Sequence, residues 1–512
     1  MLNFVENEIS MTTTLQVSDA PAVSDAPMLA ATPKLRDMAQ LPGPKGIPVF
    51  GNILQIESSR LHLQLEDWCR EFGPYYRLNL LKRRVLVVGD HSSVATVLRD
   101  RPEGFRRSSR LEDIWREMGL PPGVFGAHGD AWRRQRRMVM AGFDPAHVKS
   151  YFPTLQKVAE RLVGRWQQAA QQGHTIELQA DLMRYTVDTI AGLAFGADVN
   201  TLESDADVIQ KHLDKLFPVL FHRILSPFPI WRYVKTAKQR DFEHSVTEVL
   251  AAVDGFVATA RARIAAQPGL KEHPNNLLEA MINAADQPDS AIDARAVSGN
   301  VLTMLLAGED TTANTLAWMI HLLWKHPESL ARATLEVRAV LGDAAEPSLE
   351  HMAKLDFVEA CAHETMRLKP VAPLLAMQAL QDTVVGDVRV PKGTVVFCML
   401  RRDSVSDNHV SDAASFDPSR WLQNASPSQN ASAAKRISMP FGAGPRICPG
   451  RYLALLEMKM AIAVLLGRFD IQEVGTTTGR DPIEHLAFAM APVGLRMRLR
   501  EREDYKIDSS RP

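Results

Sequence analysis

The sequence predicts a mainly α fold with small β-sheets at its edges, an α+β class built as one domain. Three observations predict it. Long stretches carry apolar residues at i, i+3, i+4 spacing, as at 148–171, 180–194, 242–265 and 327–341. Short β-prone runs occur only near the two ends. No Gly-, Ser- or Pro-rich linker breaks the chain after residue 41, and no internal repeat is apparent.

The first forty residues mix Ser, Thr, Asp, Ala and Pro without period. They lack the charged start and apolar core of a signal peptide. They also lack the ~20 apolar residues of a membrane span. A disordered tail without a transmembrane anchor is expected over 1–40, and one folded domain over 41–512. Order begins with Leu41-Pro-Gly-Pro-Lys-Gly-Ile-Pro-Val-Phe-Gly51, whose prolines impose an extended, turning path. Residues 61–72 read as a short helix. Residues 75–80 and 84–88 read as a hairpin turning at Lys82 and Arg83. Helical periodicity dominates from there, until β-prone runs return at 384–396 and 488–499.

Of 512 residues, 46% are apolar and 23% charged, and the net charge is −1. That balance is ordinary for a globular protein and gives no electrostatic reason to bind nucleic acid. The four cysteines, Cys69, Cys361, Cys398 and Cys448, form no Cys-x-x-Cys pair. Their spacing does not suggest zinc, and a reducing cytoplasm is the expected compartment.

One of those cysteines sits in Phe441-Gly-Ala-Gly-Pro-Arg-Ile-Cys-Pro-Gly450, ahead of an apolar helix predicted over 452–466. Gly442, Gly444 and Gly450 permit tight turns and close approach of a flat object. Backbone N–H groups at a helix start stabilise a thiolate, and Arg446 adds a fixed charge nearby. The loop resembles the haem-ligand loop of the cytochrome P450 family, Phe-x-x-Gly-x-Arg-x-Cys-x-Gly, at every defined position. The resemblance implies haem b, with Cys448 as iron ligand, Phe441 beside the sulfur, Arg446 on a propionate and Gly450 closing the motif. It also implies a single-domain P450 fold, with haem between a long central helix and the cysteine loop, of the soluble bacterial type.

That central helix is predicted over 301–320, apolar nearly all round and interrupted by Glu309 and Asp310. Gly308 and its threonines invite a local kink. Ala307-Gly308-Glu309-Asp310-Thr311 matches the family's Ala/Gly-Gly-x-Asp/Glu-Thr. The resemblance implies a groove for dioxygen, with Thr311 hydrogen-bonding and holding water and Asp310 relaying protons. Glu309 reads as a surface or salt-bridge residue.

Glu364 and Arg367 match the family's Glu-x-x-Arg on one helix face. With Arg420 they are expected to form a buried network that serves folding. Trp132 and Arg136 match Trp-x-x-x-Arg and imply propionate contacts. Arg133, Arg134 and Arg137 suggest a basic face for an acidic redox partner, or a merely solvated one. Where many relatives carry a further propionate-binding Arg, this chain has Ala376, Met377 and Gln378. Gln378 is the candidate replacement.

The resemblance maps the substrate pocket onto dispersed apolar segments, with Phe125, Ala307, Leu374, Leu375 and Phe488 nearest the iron. It implies a monooxygenase that uses O2 and two electrons to hydroxylate or epoxidise a fatty acid, terpenoid, steroid or polyketide. No second Gly-rich βαβ pattern follows. Electrons are therefore expected from a separate ferredoxin or flavodoxin with its NAD(P)H reductase, reaching a monomer. A peroxide-using peroxygenase is the first rival, set back by the intact Asp310-Thr311 pair. A haem sensor or electron carrier is the second, set back by the lack of His or Met over 308–311. A haem-free binding protein would leave the motifs unexplained.

Overall fold

The computed structural model describes residues 35–81, 83–143, 149–204, 208–342, 346–422 and 429–502. The chain divides into a unit Met1–Leu35 and a unit Arg36–Pro512. Most of the tail expected over 1–40 lies outside the described residues. Residues 36–40, placed before the expected start of order, already take part in the second unit: Arg36–Asp37 forms a strand and Met38 is buried.

The helices in chain order are α1 (Leu61–Phe72), α2 (His91–Arg99), α3 (Ser109–Glu117), α4 (Gly129–Gly142), α5 (Phe152–Gln172), α6 (Leu178–Phe195), α7 (Val208–Leu225) and α8 (Ala237–Ala266). They continue with α9 (Leu277–Ala285), α10 (Ala294–Lys325), α11 (Pro327–Leu341), α12 (Leu349–Ala353), α13 (Asp356–Leu368), α14 (Gln429–Ile437) and α15 (Arg451–Arg468). The strands are β1 (Arg36–Asp37), β2 (Tyr75–Leu80), β3 (Arg83–Val88), β4 (Phe105–Arg107), β5 (Ile176–Glu177), β6 (Leu374–Ala379) and β7 (Thr383–Val385). Then come β8 (Val388–Val390), β9 (Val395–Met399), β10 (Phe469–Thr476), β11 (Ile483–Leu486), β12 (Met490–Val493) and β13 (Leu495–Glu501). This is the expected mainly helical body with small sheets.

The largest sheet has the order β2-β3-β9-β6-β4, antiparallel except where β3 runs parallel to β9. Three smaller sheets are β1-β8-β7, β10-β13-β5 and β11-β12. The run expected at 384–396 breaks into three strands because Gly386 (φ 60°) and Gly393 (φ 83°) turn the chain. The run expected at 488–499 breaks at Gly494 (φ 74°) for the same reason.

Predicted helices match best where an apolar stripe is unbroken, as at Pro327–Leu341, which is reproduced residue for residue. The predicted start at Val148 lies outside the described residues. The central helix runs 32 residues, longer than its apolar stretch, because Asp293 caps it by accepting from the Ala296 N–H.

That helix organises the molecule. Val297–Leu306 contributes to one core, with α3, α6, α7, α8 and α9. Ala313–Leu323 contributes to another, with α5, α13 and α15. Residues 307–312 fall between the two. Among the described residues no helix is long and apolar enough to cross a membrane.

Candidate active site

The cysteine loop joins α14 to α15. Its turns need left-handed backbone at Gly442 (φ 75°) and Gly444 (φ 72°). A Cβ on Gly444 would also lie 2.6 Å from the Arg99 Cα at the end of α2. The Cys448 N–H donates to the Phe441 carbonyl at 2.9 Å, which closes the loop and sets Phe441 beside the cysteine. Gly450 is the N-cap of α15, and its N–H donates to the sulfur. Burial pushes the Cys448 thiol up, while that N–H and the charges of Arg136 and Arg451 pull it down. The charges bearing on the sulfur are thus those of Arg136 and Arg451 rather than of Arg446, the one expected from the sequence. A bound metal ion would displace the thiol proton outright.

Arg446 turns away to a cluster of its own. Its Nη2 donates to the carbonyls of Val124 and Ala127, and its guanidinium lies 4.9 Å from the Trp132 ring. Its Nη1 is buried without a partner. Arg136, one turn along α4 from Trp132, donates to the Ile447 carbonyl at 2.8 Å. Arg101 donates to the carbonyls of Leu98 and Ala443. Arg107 on β4 stacks 3.6 Å over the Phe125 ring. Burial and the charges of Arg101 and Arg446 hold Arg107 well below its ordinary pKa. Burial, with Arg101 and Arg136, brings Arg446 down to about 10. Burial, then Arg106, lowers His128 to about 4, and neither of its ring nitrogens has a hydrogen-bond partner.

Among the described residues, none of Arg101, Arg107, Arg136 and Arg446 meets a carboxylate within 4.0 Å. Arg101 is buried and the other three are half-buried, and cations so far removed from water favour anionic partners. The protein does not provide them here, and the two carboxylates of a haem match the deficit in charge and in donor chemistry.

Gln378 does not join this cluster. Its Oε1 accepts from the Ser109 N–H and its Nε2 donates to the Gly393 carbonyl. Arg107 pairs across the sheet with Met377 and occupies that neighbourhood instead. Sequence reasoning missed Arg101 and Arg107 because each lies outside the matched motifs. Both sit in the polar stretch Arg99-Asp-Arg-Pro-Glu-Gly-Phe-Arg-Arg-Ser108, which carries no local signal.

On the central helix, Ala307 is exposed, and Gly308, Asp310 and Thr311 are half-buried, between fully buried neighbours. Such an opening in the middle of a core helix faces interior space. A Cβ on Gly308 would lie 3.1 Å from an Ile190 side-chain carbon of α6, so that side chain would have to give by a few tenths of an ångström. The Thr311 hydroxyl donates to the Ala307 carbonyl at 2.7 Å. Burial raises the Asp310 carboxyl to about 6, with Asp214 adding and Asn314 opposing. The Asn314 amide donates to Asp310 Oδ1 at 2.7 Å and is itself held by Gln179 at 2.7 Å. Asp310 borders a cavity of about 510 Å³ shared with Gln179, Asp214 and Phe217. Glu309, expected to be a surface or salt-bridge residue, is not at the surface: it is 3% exposed and lines the same cavity. Glu457 on α15 was not foreseen. It is buried, raised to about 8 by that burial, and hydrogen-bonded by the Thr312 side chain.

Glu364 and Arg367 are both fully buried, paired at 2.7 and 2.8 Å. Arg367 also donates to the carbonyls of Ser404, Ala413 and Ser415. Arg420 stands 3.4 Å from Glu364, and the Trp421 indole donates to the same carboxylate at 2.9 Å. Among the expected pocket residues, Phe125 and Phe488 come together with ring centroids 5.9 Å apart. Phe217 stacks on Phe488 at 4.4 Å. Phe488 is held at φ 103°, a strained position for a non-glycine residue. Leu374 and Leu375 are consecutive on β6, so they face opposite sides and pack with different clusters. Arg133 is taken up by Asp130 and Glu103. Arg137 and Tyr452 are exposed, and Arg134 and Arg451 half-buried.

The family model described as Cytochrome P450 matches residues 41–499. Protein LUTEIN DEFICIENT 5, a chloroplastic protein of Arabidopsis thaliana, is 26% identical over 442 residues, covering 84% of this chain and 72% of that one. The bifunctional cytochrome P450/NADPH–P450 reductase of Bacillus cereus is 26% identical over 449 residues, covering 85% of this chain and 40% of that longer protein. Among solved structures, a cytochrome P450DA mutant heme domain superposes with a TM-score of 0.76 at 24% identity, covering 90% of this chain and 98% of that one.

Proposed function

The chain belongs to the cytochrome P450 family, and from that premise we propose that Cys448 would supply the thiolate that holds its haem iron and that Asp310 and Thr311 handle protons at the opening in the central helix. Family membership makes the protein a haem-containing monooxygenase. Haem, when bound, supplies the redox chemistry that activates dioxygen.

The protein's own residues do the rest. Arg101, Arg107, Arg136, Arg446 and Trp132 hold the propionates, and the deficit of carboxylates around these arginines is the observation that carries the reading. Asp310, raised to about 6, takes a proton from the cavity it borders and gives it inward. Thr311 releases its bond to the Ala307 carbonyl when it orients a water or donates toward the open space. Phe125, Phe488, Ala307 and one of Leu374 or Leu375 present apolar surface to a hydrophobic small molecule, which is hydroxylated or epoxidised. Two electrons come from a separate acidic ferredoxin or flavodoxin. It docks on the Arg134, Arg137 and Arg451 face, where opposite charge speeds encounter. The protein works as a cytoplasmic monomer.

The reduced protein exposed to carbon monoxide tests this. Wild type should give the far-shifted absorption band of sulfur-bound haem, and Cys448→Ala should lose it. An unchanged spectrum in that variant refutes the assignment.

A further inference from the structure

His91, at the start of α2, meets Asp403 and His409, which lie close together in the stretch after β9. His91 opens α2, Asp403 follows β9, and His409 lies in the turn beyond. His91 Nδ1 and Asp403 Oδ2 are 3.0 Å apart, and His409 Nε2 and the same oxygen are 3.5 Å apart. All three donor atoms lie within 4.8 Å of one another. Zinc–nitrogen and zinc–oxygen bonds of ~2.0–2.1 Å in a tetrahedron require donor separations of about 3.3 Å, which the two measured edges bracket. Among the described residues this is the cluster of His, Cys and carboxylate side chains so disposed.

The surroundings suit a cation. Asp403 is 2% exposed, and its Oδ1 is held by Arg402, which fixes the carboxylate in place. Its Oδ2 accepts the His91 backbone N–H at 2.8 Å and also meets the His91 ring Nδ1 at 3.0 Å, a contact that a bound ion would replace. The two imidazoles are partly exposed, 23% and 29%, so an ion reaches them from solvent. Their rings stand nearly perpendicular, with centroids 5.1 Å apart.

We propose that His91, Asp403 and His409 form a binding site for a divalent transition-metal ion of the zinc or nickel class, with water completing its coordination. Two imidazoles and one carboxylate favour such ions over Mg²⁺ and Ca²⁺, which seek oxygen. The site braces the scaffold of the cysteine loop. The far end of α2 abuts Gly444 of that loop. The residue after Asp403, Ser404, gives its carbonyl to Arg367. An ion bound here therefore stabilises the folded, haem-loaded protein by mass action.

Haem-loaded protein stripped with a chelator and titrated with Zn²⁺ tests the proposal. Wild type should take up one equivalent that Mg²⁺ and Ca²⁺ do not displace, and the temperature of haem loss should rise. His91→Gln and His409→Gln should each weaken uptake ~10-fold or more while leaving the carbon monoxide spectrum unchanged. No stoichiometric uptake by wild type overturns the proposal whatever the variants do. Equal uptake by wild type and the double variant overturns it as well.

Discussion

Asp310→Asn removes a carboxyl that the fold holds against its preference. The Asp310 carboxyl stands at about 6 rather than 3.8, chiefly through burial. A raised carboxyl pKa favours the protonated folded state. Its penalty is absent below pH ~4, grows as pH climbs toward ~6 and is complete above that. The rise from 3.8 to about 6 corresponds to about 3 kcal/mol in a dry site, and to roughly half of that beside a hydrated cavity. The amide keeps the oxygen that accepts from Asn314. The variant should therefore match wild type near pH ~4 and exceed it by about 1.5–3 kcal/mol near pH ~8, while product formed per electron falls. Urea-induced loss of the haem band, followed across that pH range, measures the stability arm. A difference that does not change with pH, or a wild type more stable at the alkaline end, refutes the reasoning.

Thr311→Ala should leave haem binding intact and lower product per electron consumed, read by hydrogen peroxide released against product formed; unchanged coupling removes Thr311 from proton handling. Arg107→Met should act in opposite directions on the two forms of the protein. The haem-free protein gains stability because an unmatched buried charge is gone, and haem release speeds up ~100-fold if the lost pairing is worth about 3 kcal/mol. Haem transfer to an acceptor globin and urea unfolding of the haem-free protein report the two arms. Arg367→Lys should cost about 3–5 kcal/mol, since a single ammonium cannot reproduce the fork on Glu364 and the three carbonyls. The yield of haem-loaded protein is the measure.

What the sequence disclosed was whatever depends on short spacing. The cysteine loop is ten contiguous residues, and Glu364–Arg367 or Trp132–Arg136 are one helical turn apart, so backbone geometry brings them together without tertiary knowledge. The central helix was legible from its apolar length, although its ends were not, because Asp293 caps it beyond the apolar pattern. The arginine cluster stayed hidden since its members come from the end of α2, β4, α4 and the cysteine loop, and their shared partner is not protein. For Glu309 the surface alternative failed because a charged residue on an apolar helix reads as exposed. Only the packing of α6 against α10 reveals it as buried, with Thr186 donating to its carbonyl at 2.9 Å. The second arm of the acid's support, Gln179 to Asn314, spans 135 positions and left no local trace.

The contact between Gly308 and Ile190 has a geometric consequence. A side chain at Gly308 would press on Ile190 at 3.1 Å, so the height of Asp310 and Thr311 over the open space depends on how closely α6 approaches there. Bulk added at Ile190 is expected to press on Gly308 and so to shift Asp310 and Thr311, and bulk removed there to relax them, although that side chain is only hydrocarbon.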